Sequence, residues 1–203
     1  MNTTLAAPSR ITRAARICFW GGLIGAAQAV VLLLVPPVVG PERFSYPFDA
    51  TGYVLAQLSF AAQHLLLLPG VLALLWAAGP ASRTVRPALA TAFVGMGLLV
   101  MMELVALAVA GAAMTDPSAV LVSALYGIPT LLIGAGLLVG GIGIVRARLW
   151  DGWRRWVPLV TGAYVFVVLL PGLMAPFWAG RVVIGVWMLL FAALGVALLR
   201  SPR

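Results

Sequence analysis

Two ionisable residues of opposite character lie inside long apolar runs and define the candidate chemistry of this sequence. Glu103 sits in MGLLVMMELVALAVAG, and His64, the single histidine, sits in YVLAQLSFAAQHLLLLPGVLALLWAAG. A carboxyl and an imidazole can hold and exchange a proton, and burial readies such groups for acid–base work. An ionisable residue at the centre of a membrane span costs about 2.5 to 3.5 kcal/mol on insertion scales, and it marks a functional site by default. His64 falls about ten residues after the start of its run and Glu103 about nine before the end of its own. At 1.5 Å per residue both are roughly 14 Å deep, so they are expected to meet as a proton-sensitive pair.

Other polar groups gather at related depths. Gln57 precedes His64 by seven residues and shares its helical face. Gly21, Gly25 and Gln28 form one stripe, and Ser123, Tyr126 and Thr130 form another, while Arg181 is placed at the outer end of the last run. With the Glu103–His64 pair, Gln28, Gln57, Ser123, Tyr126 and Arg181 outline a polar pocket that opens outward beneath a proline-rich loop. The same residues have a plainer reading. Interhelical Gln, Ser, Thr and His often serve only as links worth about 0.6 kcal/mol each, a buried tyrosine hydroxyl usually finds a partner, and a terminal arginine can snorkel to phosphates. The pairs Gly21/Gly25 and Gly136/Gly140 read as packing contacts.

Several chemistries lack their residues. One histidine cannot supply two axial ligands to a haem, and His64 with Glu103 falls short of the four ligands of a closed zinc site. Cys18 is the sole cysteine, which leaves no disulfide or cysteine cluster. No phosphate-binding loop, G-x-S-x-G or H-E-x-x-H occurs. No metal or cofactor is expected.

The elements that must position these residues follow from composition. Of 203 residues 63% are hydrophobic and only 9% charged, with a mean hydropathy of +1.10. Soluble domains carry about 25% charged residues, and a barrel would show alternating segments of about ten residues rather than continuous runs twice as long. The chain is therefore expected to be an all-α polytopic transmembrane bundle. Six helices are expected at about 17–39, 54–78, 88–112, 119–145, 157–175 and 182–199, forming one domain over 17–200 behind a cytoplasmic tail over 1–16.

Charge gives an orientation. All 13 basic residues are arginine, the mark of a GC-rich genome, and the net charge is +8. Eleven arginines fall on one side of the expected spans, and only Arg43 and Arg181 fall on the other. The positive-inside rule then places both termini in the cytoplasm of a bacterial cell, with the chain in the inner (plasma) membrane. The segment RARLWDGWRRW sets Arg146, Arg148, Arg154 and Arg155 among three tryptophans. That mixture suits anionic lipid headgroups, and nucleic acid is not an expected partner. A shift of 102 residues lays Leu67–Ala77 on Leu169–Ala179 with seven identities in eleven positions, the pattern a weak inverted repeat of three plus three helices would leave.

Three functions fit these observations. The first is binding or transport of a small-molecule solute through the outward pocket. The second is a membrane enzyme acting on a lipid-like substrate with Glu103 as acid or base. The third is a structural or regulatory subunit without pocket chemistry, and a homo-oligomer is compatible with any of them.

Overall fold

The computed structural model describes residues 6–78 and 84–200, with side chains from residue 10. Among the described residues eight α-helices form six apolar spans, each long enough to cross a membrane. They are α1 (Ala6–Leu34), α2 (Ala50–Ala77), α3 (Val85–Val105), α4 (Pro117–Leu125), α5 (Gly127–Arg146), α6 (Val157–Tyr164), α7 (Leu170–Leu173) and α8 (Phe177–Leu199). The fourth span joins α4 to α5, and the fifth joins α6 to α7 through a π turn at Val165–Leu169. Helices are what such a sequence must form, since in hydrocarbon every backbone N–H and C=O has to be satisfied within the segment. Leu34, Val167 and Met174 stand on the surface, where lipid rather than water is their fitting solvent.

The spans form a closed ring in chain order. Each packs against the next, and α8 returns to α1, which is the most extensive helix pair in the molecule. Glycine permits that closure: a Cβ on Gly22 would lie 2.5 Å from Ala192 N and 2.6 Å from Met188 O, and one on Gly195 would lie 2.7 Å from Ala15 O. Close approach through small residues is the usual basis of helix packing in membranes. Gly21 and Gly25 face α2 at Leu66 and Gln63, while Gly136 and Gly140 face Ala88, Ala92 and Leu89 of α3.

A continuous apolar core fills one half of the ring. Cys18, Leu67, Leu74, Leu89, Leu137, Ile144, Phe191 and Leu194 are buried there, towards the connections between α2 and α3 and between α5 and α6. The other half is not filled in this way, and the polar residues gather in it.

Helix ends depart from the expected bounds for local reasons. The first helix begins by Ala6 rather than at 17, so the segment 6–16 is helical, and it stops at Leu34 ahead of Pro36 and Pro37, because a residue before proline is pushed out of the α region. The second begins at Ala50 rather than 54, because the Asp49 side chain accepts the Gly52 N–H at 2.7 Å as an N-cap. The third tightens into a 3-10 turn at Ala106–Val109. The fourth is interrupted at Tyr126, since Pro129 has no N–H to offer Leu125 O. The fifth carries the π turn, in which Leu170 N–H bonds Val165 O, and ends ahead of Pro176. The sixth starts at Phe177 rather than 182.

These breaks bear on the repeat. Leu67–Ala77 is uninterrupted helix inside α2, whereas Leu169–Ala179 runs from the π turn through the bend at 174–176 into α8. The matched segments are not locally equivalent, and the repeat gains no support from them. Of the arginines counted for orientation, Arg83 and Arg203 lie outside the described residues.

The loop between α1 and α2 folds over the open half of the ring. Val38 N–H bonds Pro47 O at 2.7 Å, closing the loop on itself. Phe44 N–H then bonds Ala112 O at 3.0 Å, Met114 N–H bonds Glu42 O at 2.8 Å, and Arg43 Nη1 donates to Gly111 O at 3.1 Å. Edge-on ring contacts of Tyr46 with Phe177 and Phe44 with Tyr53, at 5.0 and 5.8 Å, hold it to α8 and α2.

Candidate functional site

Under this loop lies a cavity of about 700 Å³ to which all six spans contribute. Its lining includes Tyr53, Gln57 and His64 of α2, Glu103 of α3, Tyr126 between α4 and α5, and Arg181 of α8. Phe44, Phe60, Leu99, Leu169, Phe177 and Met188 are among the apolar walls. The lining is thus more apolar than the polar pocket expected from sequence, because the intervening residues on each helix are Leu, Phe and Met.

The polar groups form one connected chain. Gln57 Nε2 donates to Tyr53 Oη at 2.8 Å and to Tyr126 Oη at 3.0 Å. Tyr126 Oη in turn donates to Glu103 Oε2 at 2.8 Å. The other carboxyl oxygen, Oε1, lies 3.3 Å from His64 Nδ1, although the nitrogen is off the line of a hydrogen bond, so that contact is electrostatic. Glu103 is buried and both of its oxygens are engaged. Two helices, α2 and α3, and one helix break therefore converge on a single carboxyl.

The break at Tyr126 has a direct part in this geometry. Thr130 Oγ1 donates to Tyr126 O at 2.9 Å, occupying a carbonyl at the interruption, while the Tyr126 ring reaches between α2 and α3. Position in the membrane explains less than expected. His64 is well inside α2 and Glu103 is near the end of α3, so distances counted from helix ends do not give a common depth. The two meet because α2 and α3 pack directly against each other.

Other candidates have different places. Arg181 does not cap the last helix, which begins four residues earlier. It is one turn inside α8 with its guanidinium 4.6 Å from the Phe177 ring centre and its Nε buried without an acceptor. Ser123 lines the cavity but is exposed. Gln28 is outside the main cavity and donates to Ser59 Oγ at 2.6 Å, a link between α1 and α2. It borders a smaller recess of about 80 Å³ that shares His64, Glu103 and Arg181 with the main cavity, and is roomy enough for water at about 30 Å³ per molecule. Gln63 donates to Gly21 O at 3.0 Å, and Thr161 and Tyr164 bond backbone carbonyls, as structural links do.

Tyr53 and the loop residue Arg43 were not singled out from sequence, yet both line the cavity. Tyr53 had a readable signal: it stands four residues before Gln57 and eleven before His64, on the same helical face. Arg43 had none, since its position depends on how the loop folds back.

At the opposite end of the bundle, Arg146 and Arg148 are exposed, and Arg155 lies 5.6 Å from the Trp156 ring centre. Arg154 is turned to the carbonyls of Asp151 and Arg200. Trp153 and Trp156 are exposed, whereas Trp150 is buried in the core, so only two of the three indoles are free to meet an interface. Among the described residues no cluster of three metal-ligating side chains occurs. Compared with known protein families, with curated proteins and with solved structures, the chain matches none.

Proposed function

We propose that this chain is a multi-pass protein of a bacterial inner membrane that binds a small, largely apolar solute in its loop-covered cavity and carries it across. Glu103 and His64 act as the proton-responsive pair of that site. The observation that carries the reading is the placement of a buried carboxyl in the wall of a cavity of about 700 Å³, within the range of about 300 to 1,000 Å³ typical of small-molecule sites. A subunit whose polar residues only hold helices together has no need of such a space. The excess of arginine at the end opposite the cavity supports an outward mouth. The exposed Arg146 and Arg148 with Trp153 and Trp156 suit anionic headgroups on the cytoplasmic side.

Cysteine accessibility tests this reading, because Cys18 is the sole cysteine. In a Cys18→Ala background, Ser123→Cys should react with a membrane-impermeant maleimide from the periplasmic side of intact cells. Leu99→Cys, deeper in the lining, should react from both faces if the cavity alternates its access. Labelling of Leu99→Cys from the periplasmic side alone would retain binding and remove transport. Labelling of Ser123→Cys only from inverted vesicles would reverse the orientation.

A further inference from the structure

The polar groups of the cavity are unevenly satisfied. Glu103 has Tyr126 on one oxygen and His64 beside the other. Arg181 has neither a hydrogen bond nor an ion pair with any described residue; its guanidinium rests on the Phe177 ring, and its Nε is buried. The titratable groups that bear on it are Glu103, Tyr53 and Tyr126. None of them makes an ion pair or hydrogen bond with it: Glu103 accepts from Tyr126 and lies beside His64, and the two phenols are linked through Gln57. The lining holds two arginines, Arg43 and Arg181, against one glutamate, and Arg43 spends a donor on Gly111 O.

A guanidinium whose Nε is buried without an acceptor is costly. Its rigid fork of N–H donors matches two oxygens of one carboxylate or phosphate. Tyr53 adds a second free donor, because its hydroxyl oxygen accepts from Gln57 while its own O–H goes to no described residue. Phe60, Leu99, Phe177 and Ile184 supply apolar wall in the same cavity. A cationic ligand would meet two arginines, Arg43 and Arg181, against the single Glu103, whose carboxyl already bonds Tyr126 and lies beside His64. A neutral ligand would leave Arg181 as it is.

We infer that the ligand of this cavity is an amphiphilic anion, a single carboxylate or phosphate head on an apolar body. The head is bound by Arg181 and the Tyr53 hydroxyl, and the body lies against Phe60, Leu99 and Phe177. This rests on the binding function proposed above and assigns the ligand its chemical class.

The test uses the purified full chain in an uncharged maltoside detergent, titrated by calorimetry with four probes of one body and different heads: phenylbutyrate, phenylbutyl phosphate, phenylbutanol and phenylbutylamine. At least one anion should bind about tenfold or more tighter than the alcohol, a difference equal to about 1.4 kcal/mol, and the comparison of the two anions tells which head is preferred. Arg181→Gln should abolish the advantage while leaving alcohol binding intact, which also reports an intact cavity, and Arg181→Lys should keep part of it. Alcohol or amine binding as tight as both anions would overturn the inference and leave the binding function standing. So would undiminished anion binding by Arg181→Gln. Binding of none of the four would remove the proposed binding function and this inference with it. The wild-type series decides between these outcomes even if a variant fails to fold.

Discussion

Replacing Tyr126 by Phe and Glu103 by Gln, singly and together, isolates the bond at the centre of the site. Tyr126→Phe removes the 2.8 Å donation to Glu103 Oε2 and the acceptor that Gln57 uses at 3.0 Å. Gln57 retains Tyr53 at 2.8 Å, so the loss falls mainly on the carboxyl. An interhelical hydrogen bond in a membrane protein averages about 0.6 kcal/mol and reaches about 1.7, while a bond to a charged group in a folded protein contributes about 1.5 to 3. The buried position of Glu103 and the short Oη–Oε2 distance place this bond above the average. The coupling energy of the double-mutant cycle should be about 1 kcal/mol or more, roughly a fivefold change in the folded-to-unfolded ratio. The assay is reversible unfolding of the full chain in mixed micelles, followed by tryptophan fluorescence. Tyr164→Phe is the control, because its hydroxyl bonds Val183 O at 3.1 Å and has no link to Glu103. A coupling below about 0.3 kcal/mol between Tyr126 and Glu103, or an equal coupling for Tyr164, would refute the connected-site argument.

Other outcomes follow from the same geometry. Gly22→Ala puts a Cβ against the α8 backbone at 2.5 Å and should cost about 1 to 3 kcal/mol as overpacking, read as a lower thermal midpoint. Gly97→Ala, with nothing within 4 Å of the added carbon, should be neutral or stabilise by up to about 1 kcal/mol through helix propensity, and equal effects at the two sites would count against tight closure of the ring. Ser59→Ala removes the shorter of the two bonds from Gln28, leaving the one to Ser59 O at 3.3 Å, and should cost at most about 0.6 kcal/mol without changing probe affinity by calorimetry, since neither residue lines the main cavity. Arg146→Gln and Arg148→Gln should each weaken the retention of phosphatidylglycerol relative to phosphatidylcholine on the full chain by about 1 kcal/mol per charge. Lipid counts by native mass spectrometry would show no change if these arginines do not meet headgroups.

The six spans are legible because hydropathy integrates over about twenty residues and tolerates local irregularity. What it misses are single-residue events: the Asp49 cap, the interruption caused by Pro129, and the π turn before Pro171. Glu103 and His64 stand out in the sequence because a membrane makes ionisable groups conspicuous. Gln28 and Gln57 look alike in sequence, and only the packed structure separates the link to Ser59 from the bridge between two tyrosines. Arg181 is a pocket candidate in the sequence but is placed there at a helix terminus, whereas the start of α8 at Phe177 sets it one turn inside the helix. The loop contribution, from Arg43 to Phe48, arises through long-range backbone pairing with 112–114, which leaves no local pattern to read.

The closure of α8 onto α1 also constrains how the molecule can be made. Cys18 Sγ donates to Phe191 O across 173 positions of sequence, so a ribosome delivers α1 long before its main partner exists. During that interval the glycine face of α1 and the carboxyl on α3 have no complete enclosure, and a nascent chain must keep them from lipid or hold them beside the insertion machinery. Contacts so distant in sequence are slow to form and late in assembly. The cavity is therefore complete only once the final helix, which supplies Phe177, Arg181 and Ile184 to its wall, has docked.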